Sequence, residues 1–206
     1  MGENFKKQSV DVDPAILERG VKDALAGNKT LLTDEEAQSA IMDVQKEVRA
    51  KQEEKNKEAA AENKKQGDAF LAANKDKEGV KVLPSGLQYK ILKEGTGPKP
   101  TADDKVSVNY RGTLIDGKEF DSSYKRGQPA TFPVSGVIRG WTEALQLMPV
   151  GAKWELFIPP DLAYGERGAG GDIGPNETLI FEVELLSIES KGKDKEKNAA
   201  QEPEKK

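Results

Sequence analysis

The 206 residues include no cysteine and no histidine. That excludes disulfides, thiolate nucleophiles, Cys-x-x-Cys redox pairs, Cys/His zinc sites and every histidine-dependent catalytic triad. Long apolar runs are missing as well. No window approaches the roughly 18 or more apolar residues of a membrane-spanning helix, and residues 1–10 carry no apolar segment of a signal peptide. Neither sign of charge dominates: 32 basic residues stand against 36 acidic ones, for a net charge of −4, so no positive field gathers nucleic acid or an acidic membrane. Hydrophobic residues make up 35%, below the roughly 45–50% of compact chains, which puts part of the sequence outside any core.

What core-forming material there is lies toward the C-terminus. Ten of the twelve aromatic residues, nine of the eleven prolines and fourteen of the twenty glycines fall in residues 82–189, a pattern of short strands separated by turns. Period-two runs at Leu87-Gln-Tyr-Lys-Ile-Leu, Val106-Ser-Val-Asn-Tyr110, Lys153-Trp-Glu-Leu-Phe-Ile158 and Thr178-Leu-Ile-Phe-Glu-Val-Glu-Leu-Leu186 predict strands. Asp116-Gly117 predicts a type I′ hairpin, and Trp141-Thr-Glu-Ala-Leu-Gln-Leu147 a short helix. One helix against a curled antiparallel sheet makes an α+β domain over residues 80–189.

Residues 1–79 read as helix. Asp13 is a helix N-cap with Pro14 at the first helical position, and the helix is predicted to end near Gly27. Ile16, Gly20, Val21, Ala24 and Leu25 form an apolar stripe that needs a partner. Thr33-Asp-Glu-Glu36 is a capping box, and nothing stops the helix it opens before residues 74–79. About 40 residues at 1.5 Å each span roughly 60 Å. Between Arg49 and Gln66 every residue is charged, amide-bearing or alanine, which reads as a solvated rigid bridge rather than core. The expected organisation is therefore a helical segment (1–32), a long connecting helix (33–79), the β domain (80–189) and a disordered charged tail (190–206), whose six lysines and four acids accompany no large apolar residue.

Catalytic templates are absent: there is no Gly-x-Ser-x-Gly, no phosphate-loop lysine, no His-Glu-x-x-His and no calcium loop. The glycine-rich Gly165-Glu-Arg-Gly-Ala-Gly-Gly-Asp-Ile-Gly174 follows no strand leading into a helix and carries no lysine, so it reads as a loop and not a phosphate cradle. What remains is a set of aromatic and aliphatic residues near turns: Tyr110, Phe120 beside Asp121, Val137-Ile138 before Gly140-Trp141, Tyr164 before Gly165, and Phe181. By composition alone, such residues are core packing.

In five ordered segments the chain resembles the FKBP family of peptidyl-prolyl isomerases: Val108-Asn-Tyr-Arg-Gly112, Gly117-Lys-Glu-Phe-Asp-Ser-Ser123, Val137-Ile-Arg-Gly-Trp141, Ala163-Tyr-Gly165 and Leu179-Ile-Phe-Glu-Val-Glu-Leu185. The helical N-terminus followed by Leu83-Pro-Ser-Gly-Leu-Gln-Tyr89 is similar to the bacterial Mip and FkpA branch. The resemblance implies an apolar pocket with Trp141 as floor and Tyr110, Phe120, Val137, Ile138 and Phe181 as walls. It also implies that the Tyr164 hydroxyl and Ile138 N–H bond the peptide's carbonyls, with Asp121 at the rim and Ile173 on the outer wall. Ala130 departs from the aromatic that many eukaryotic members carry, and Arg139 replaces a proline of the branch.

The implied activity is isomerisation of Xaa-Pro bonds in unfolded or folding proteins, joined to chaperone activity. No cofactor and no metal is implied. A binding module for proline-containing segments that barely catalyses is the alternative, and the full set from Tyr110 to Phe181 favours turnover. The branch further implies macrolide inhibitors of the rapamycin type, a homodimer built on the N-terminal helices, and export to the periplasm or outer membrane, with a cytoplasmic location as the alternative. Residues 1–8 resemble the middle of that branch's arm, so the arm's start and a signal peptide are expected to lie outside this sequence.

Overall fold

A computed structural model describes residues 13–189; the charged tail and the first twelve residues lie outside the described part. The first helix, α1 (Pro14–Ala26), begins as its sequence dictates. The Asp13 carboxylate accepts from the Ala15 and Ile16 N–H groups at 2.8 and 3.3 Å, satisfying donors that the first turn leaves free. Gly27 ends it in the left-handed region at φ 67°. Ile16, Val21 and Leu25 are all exposed.

The long helix, α2 (Asp34–Asn74), runs 41 residues without a break. Its capping box is closed in both directions: Glu36 accepts from the Thr33 N–H at 2.8 Å, and the Thr33 hydroxyl accepts from the Glu36 N–H at 3.2 Å. Five residues short of the expected boundary at 79 it stops at Asn74, whose buried side chain donates to Gln88 at 3.0 Å. A turn and Gly79, at φ 80°, then lead into the first strand. The chain divides into two compact units, Met1–Glu58 and Ala59–Lys206. No helix among the described residues is long and apolar enough to cross a membrane.

In the second unit the strands are β1 (Val80–Val82), β2 (Gln88–Lys93), β3 (Lys105–Leu114), β4 (Glu119–Ser122), β5 (Ala130–Pro133), β6 (Lys153–Ile158) and β7 (Leu179–Glu189). They form one antiparallel sheet in the order β1-β2-β6-β7-β3-β4, with β5 sharing the outer edge of β3. Alternation fixes which face is inside: on β3, Val106, Val108, Tyr110, Gly112 and Leu114 are buried while Ser107, Asn109, Arg111 and Thr113 between them are not. A register shift between β3 and β7 at Ser107/Val108 is a bulge, the local device that bends a sheet. After β4 come the single-turn helix α3 (Ser123–Arg126) and, after β5, α4 (Arg139–Leu147).

Helix α4 closes the core by burying Trp141, Ala144 and Leu145. Gly140 permits the close approach, because a Cβ there would lie 2.6 Å from Ile158. The β3–β4 connection differs from the expected type I′ turn. Leu114 and Lys118 close a three-residue loop in which Gly117 is left-handed at φ 86° and Asp116 is not. The Asp116 carboxylate accepts from the Lys118 N–H at 2.8 Å, and that local bond favours the longer loop over two successive left-handed residues.

Candidate functional site

Above α4, between the helix and the curled edge of the sheet, lies a cavity of about 590 Å³. Its register explains its walls. Gly112 on β3 pairs with Asp121 on one side and Phe181 on the other. A Cβ at Gly112 would sit 2.7 Å from both the Phe120 and the Phe181 rings, so only glycine lets those rings meet over the strand. They do so edge to face, with centroids 5.5 Å apart.

Trp141, buried in the first turn of α4, forms the base. Tyr110 and Phe181 stand edge-on to the indole at 5.2 Å each, and Phe132 does so at 5.9 Å, the arrangement aromatic quadrupoles prefer. Val137 and Ile138 come from the turn entering α4, where the Ile138 carbonyl accepts from the Trp141 and Thr142 N–H groups and so opens the helix. The Ile138 N–H itself is outside that ladder.

Two carboxylates, Asp121 and Asp172, interrupt the apolar lining. Asp121 accepts from the Tyr110 hydroxyl and from the Arg126 guanidinium. Arg126 in turn donates to the Tyr110 oxygen at 2.7 Å and lies 5.3 Å from its ring centre. Burial pushes the Asp121 carboxyl up, but hydrogen bonds from Tyr110 and Arg126 and the charge on Arg126 outweigh it and hold the group below its ordinary value. Burial, reinforced by Asp121, pushes the phenols of Tyr110 and Tyr164 up.

On the far side, the loop after Tyr164 supplies Ile173, which pairs with Ala169 through two backbone hydrogen bonds of 2.9 and 3.1 Å. Lys118 of the β3–β4 turn reaches across to Asp172 at 2.9 Å. Tyr164 is 41% exposed, leaving its hydroxyl accessible at the mouth. Arg139, at the start of α4, donates to the Asp161 carbonyl and ties the helix to the turn that leads to Tyr164.

All nine residues singled out from the sequence line this one cavity: Tyr110, Phe120, Asp121, Val137, Ile138, Trp141, Tyr164, Ile173 and Phe181. Sequence reasoning missed Phe132 and Arg126. Phe132 was legible, since it shares a strand face with Ala130 two residues before. Arg126 was not: it reaches the site through the turn of α3, five residues beyond Asp121.

Known proteins are similar to this chain over most of its length. Residues 97–186 match the sequence model of the FKBP-type peptidyl-prolyl cis-trans isomerases, and residues 1–91 match that of the domain amino-terminal to such isomerases. The chain is 55% identical over 188 residues to an outer membrane protein MIP of Legionella longbeachae, covering 91% of this chain and 81% of that one. It is 50% identical over 190 residues to the peptidyl-prolyl cis-trans isomerase Mip of Coxiella burnetii, covering 92% and 83%. The crystal structure of FkpA from Escherichia coli superimposes with a TM-score of 0.75 at 40% identity, covering 91% of this chain and 87% of that one.

Proposed function

The chain belongs to the FKBP-type peptidyl-prolyl cis-trans isomerases, and from that premise we propose that the cavity over Trp141 is where it turns the Xaa-Pro bonds of its protein substrates. The observation that carries the assignment is an apolar cavity lined by five aromatic side chains around an indole, with the charged cluster Asp121–Arg126–Tyr110 at its rim. In this reading the prolyl ring rests on Trp141 between Tyr110, Phe120 and Phe181, with Val137, Ile138 and Phe132 closing the sides. The Tyr164 hydroxyl and the Ile138 N–H donate to carbonyls flanking the proline. Ile173 forms the outer wall.

The chemistry needs no nucleophile. Prolyl isomerisation rotates a C–N bond over a barrier of about 18–20 kcal/mol and makes or breaks no covalent bond. A planar amide carries charge separation that water stabilises; the twisted amide has lost most of it. A pocket of hydrocarbon and ring faces therefore disfavours the planar isomers relative to the twisted one, and donors placed on flanking carbonyls hold the chain while it turns.

Exchange NMR on a short proline peptide tests the reading without a coupled protease. Acceleration by the protein, abolished by rapamycin, is the expected result. A folded protein that leaves the exchange rate unchanged would falsify it and favour the binding-module alternative. The pH dependence is a second check. With histidine and cysteine absent, Asp121 held below the ordinary carboxylate value near 4 and both phenols pushed above about 10, kcat/KM should stay within about twofold from about pH 5.5 to 9. A bell-shaped profile centred near neutrality would remove Asp121 and Tyr110 from their places in the scheme.

The same proposal extends to the rest of the chain. The exposed Ile16, Val21, Leu25, Ile41 and Val44 support pairing of two copies through the N-terminal helices (residues 1–32 and the start of α2), and an arm of that kind supports a chaperone role beside isomerisation. The Legionella longbeachae relative, named as an outer membrane protein, supports a place in the cell envelope. Sedimentation at twice the monomer mass, suppression of client aggregation, and recovery of the full-length gene product in the envelope fraction are the expected findings. A monomer, an unprotected client or recovery in the cytosol removes the corresponding part.

A further inference from the structure

The part of α2 that reads as a solvated bridge touches the pocket loop. From Ala59 onward one face of the helix, spaced by three and four residues, carries Ala60, Asn63, Gly67 and Phe70. The Asn63 amide donates to the Pro175 carbonyl at 2.9 Å, and its nitrogen is 3.1 Å from where a Cβ on Gly174 would stand. Asn176 donates back to the Ala60 carbonyl at 3.5 Å. One turn further on, Gly67 is buried against Thr178, whose hydroxyl oxygen would lie 2.3 Å from a Cβ at that position. Glycine is thus required for the helix to come this close.

The loop segment held in this way begins immediately after Ile173, the outer wall of the cavity. Its other polar restraints are local or exposed, namely the Asn176 N–H to the Gly165 carbonyl at 2.8 Å, the Ala169–Ile173 pair and the exposed Lys118–Asp172 ion pair, while Ile173 itself is held by apolar packing. Four glycines at positive φ, Gly165, Gly168, Gly170 and Gly171, leave the loop backbone little stiffness of its own. The shorter of the two hydrogen bonds between this segment and the helix, Asn63 to the Pro175 carbonyl, is then a direct tether next to the wall.

We propose that Asn63 is a positioning residue for the isomerase pocket: by holding the Pro175 carbonyl, α2 sets the place of Ile173 against the bound peptide. This rests on the pocket assignment above. It differs from a purely structural role, because the contact is made to the pocket loop and not to the core. Ground-state binding of the peptide, which uses the outer wall, depends on it more than does the twisting step over Trp141.

Two variants of the full chain test it. Asn63→Asp keeps size and replaces the donor by an oxygen facing the carbonyl; Asn63→Ala removes the group and raises helix propensity, so α2 is preserved. Both should raise KM for a proline tetrapeptide by about three- to tenfold with kcat within about twofold, and both should speed amide exchange at residues 168–177 with little change in Tm. Folded variants with the KM of the parent protein overturn the proposal, whether or not loop exchange is faster, and so does a fall confined to kcat. Phe120→Ala in the same assay separates the two levels. If it too leaves KM and kcat unchanged, the pocket assignment fails; if it is impaired while both Asn63 variants match the parent, only the role of Asn63 fails.

Discussion

Trp141→Ala is expected to lower kcat/KM for a proline tetrapeptide about 100-fold and to destabilise the fold by about 3–5 kcal/mol, the usual cost of emptying a buried aromatic site. The indole is 4% exposed and touches three rings edge to face, so its loss leaves a cavity that the rigid sheet and α4 cannot collapse into. The same change removes the surface on which the prolyl ring rests. Losing about 2–3 kcal/mol of apolar contact that the twisted amide shares corresponds to roughly 30- to 150-fold in rate. Stability and rate must be separated, because a domain with about 5–15 kcal/mol in total tolerates the mutation only narrowly. Trp141→Phe separates them: it keeps an aromatic base and discards an indole N–H that has no partner among the described residues. That variant should stay within about 1.5 kcal/mol of the parent and lose about tenfold or less in rate. Exchange NMR beside thermal denaturation reads both quantities, and a folded Trp141→Ala protein with full activity would take the indole out of the site.

Much of this arrangement is legible from local chemistry. Asp13, Thr33 and Glu36 name the helix starts because unsatisfied N–H groups at a helix end need an acceptor, and short-range bonds decide the matter. Period-two alternation located the four long strands; β3 and β7 bury one face cleanly, while β2 buries only Gln88 and β6 is buried on both faces at its end. The three short strands β1, β4 and β5, three or four residues each, offer too few alternations to read. The Asp116-Gly117 pair suggests two successive left-handed residues, but the Asp116 carboxylate finds the Lys118 N–H first and the loop takes three residues.

The pocket residues were visible for a different reason. Phe120 with Asp121, Val137 with Ile138 and Trp141, and Tyr164 each sit in a short motif with its own turn, and the resemblance orders those motifs around one cavity. Nothing in periodicity alone brings Gly112, Asp121 and Phe181 side by side; that follows from strand register, a long-range property. The contact of Asn63 with Pro175 was hidden by the same limit. A polar stretch reads as solvated when its partner is remote in sequence, and the partner carbonyl here lies 112 positions away.

Asp121→Leu is expected to lower kcat/KM by about 10- to 100-fold while the domain stays folded. The carboxylate accepts from both Tyr110 and Arg126, and removing it leaves the phenol of a buried tyrosine without its acceptor. An unsatisfied buried hydroxyl costs about 1–3 kcal/mol, and the site recovers that by admitting water or by turning Tyr110 away from Trp141. Either outcome harms the reaction, since water restores the solvation of the planar amide and a displaced Tyr110 opens a wall. If the whole cost falls on the transition state, about 1.4–2.7 kcal/mol gives the stated range. Asp121→Asn retains an acceptor for Tyr110 and loses the charge that holds Arg126, so it should fall between the parent and the leucine variant. The sign of the pH effect on stability follows from the depressed carboxyl. A group more acidic in the folded than in the unfolded protein adds stability above the unfolded value near 4, and this is lost as pH falls through the folded one. The Tm difference between the parent and Asp121→Asn should therefore be constant from about pH 8 to 5 and shrink in more acidic solution. With 42% of the Asp121 side chain exposed, solvent screening keeps that difference small, so the main effect is on rate. A folded Asp121→Leu protein with parental kcat/KM would show that neither Tyr110 nor Arg126 needs its anchor for turnover.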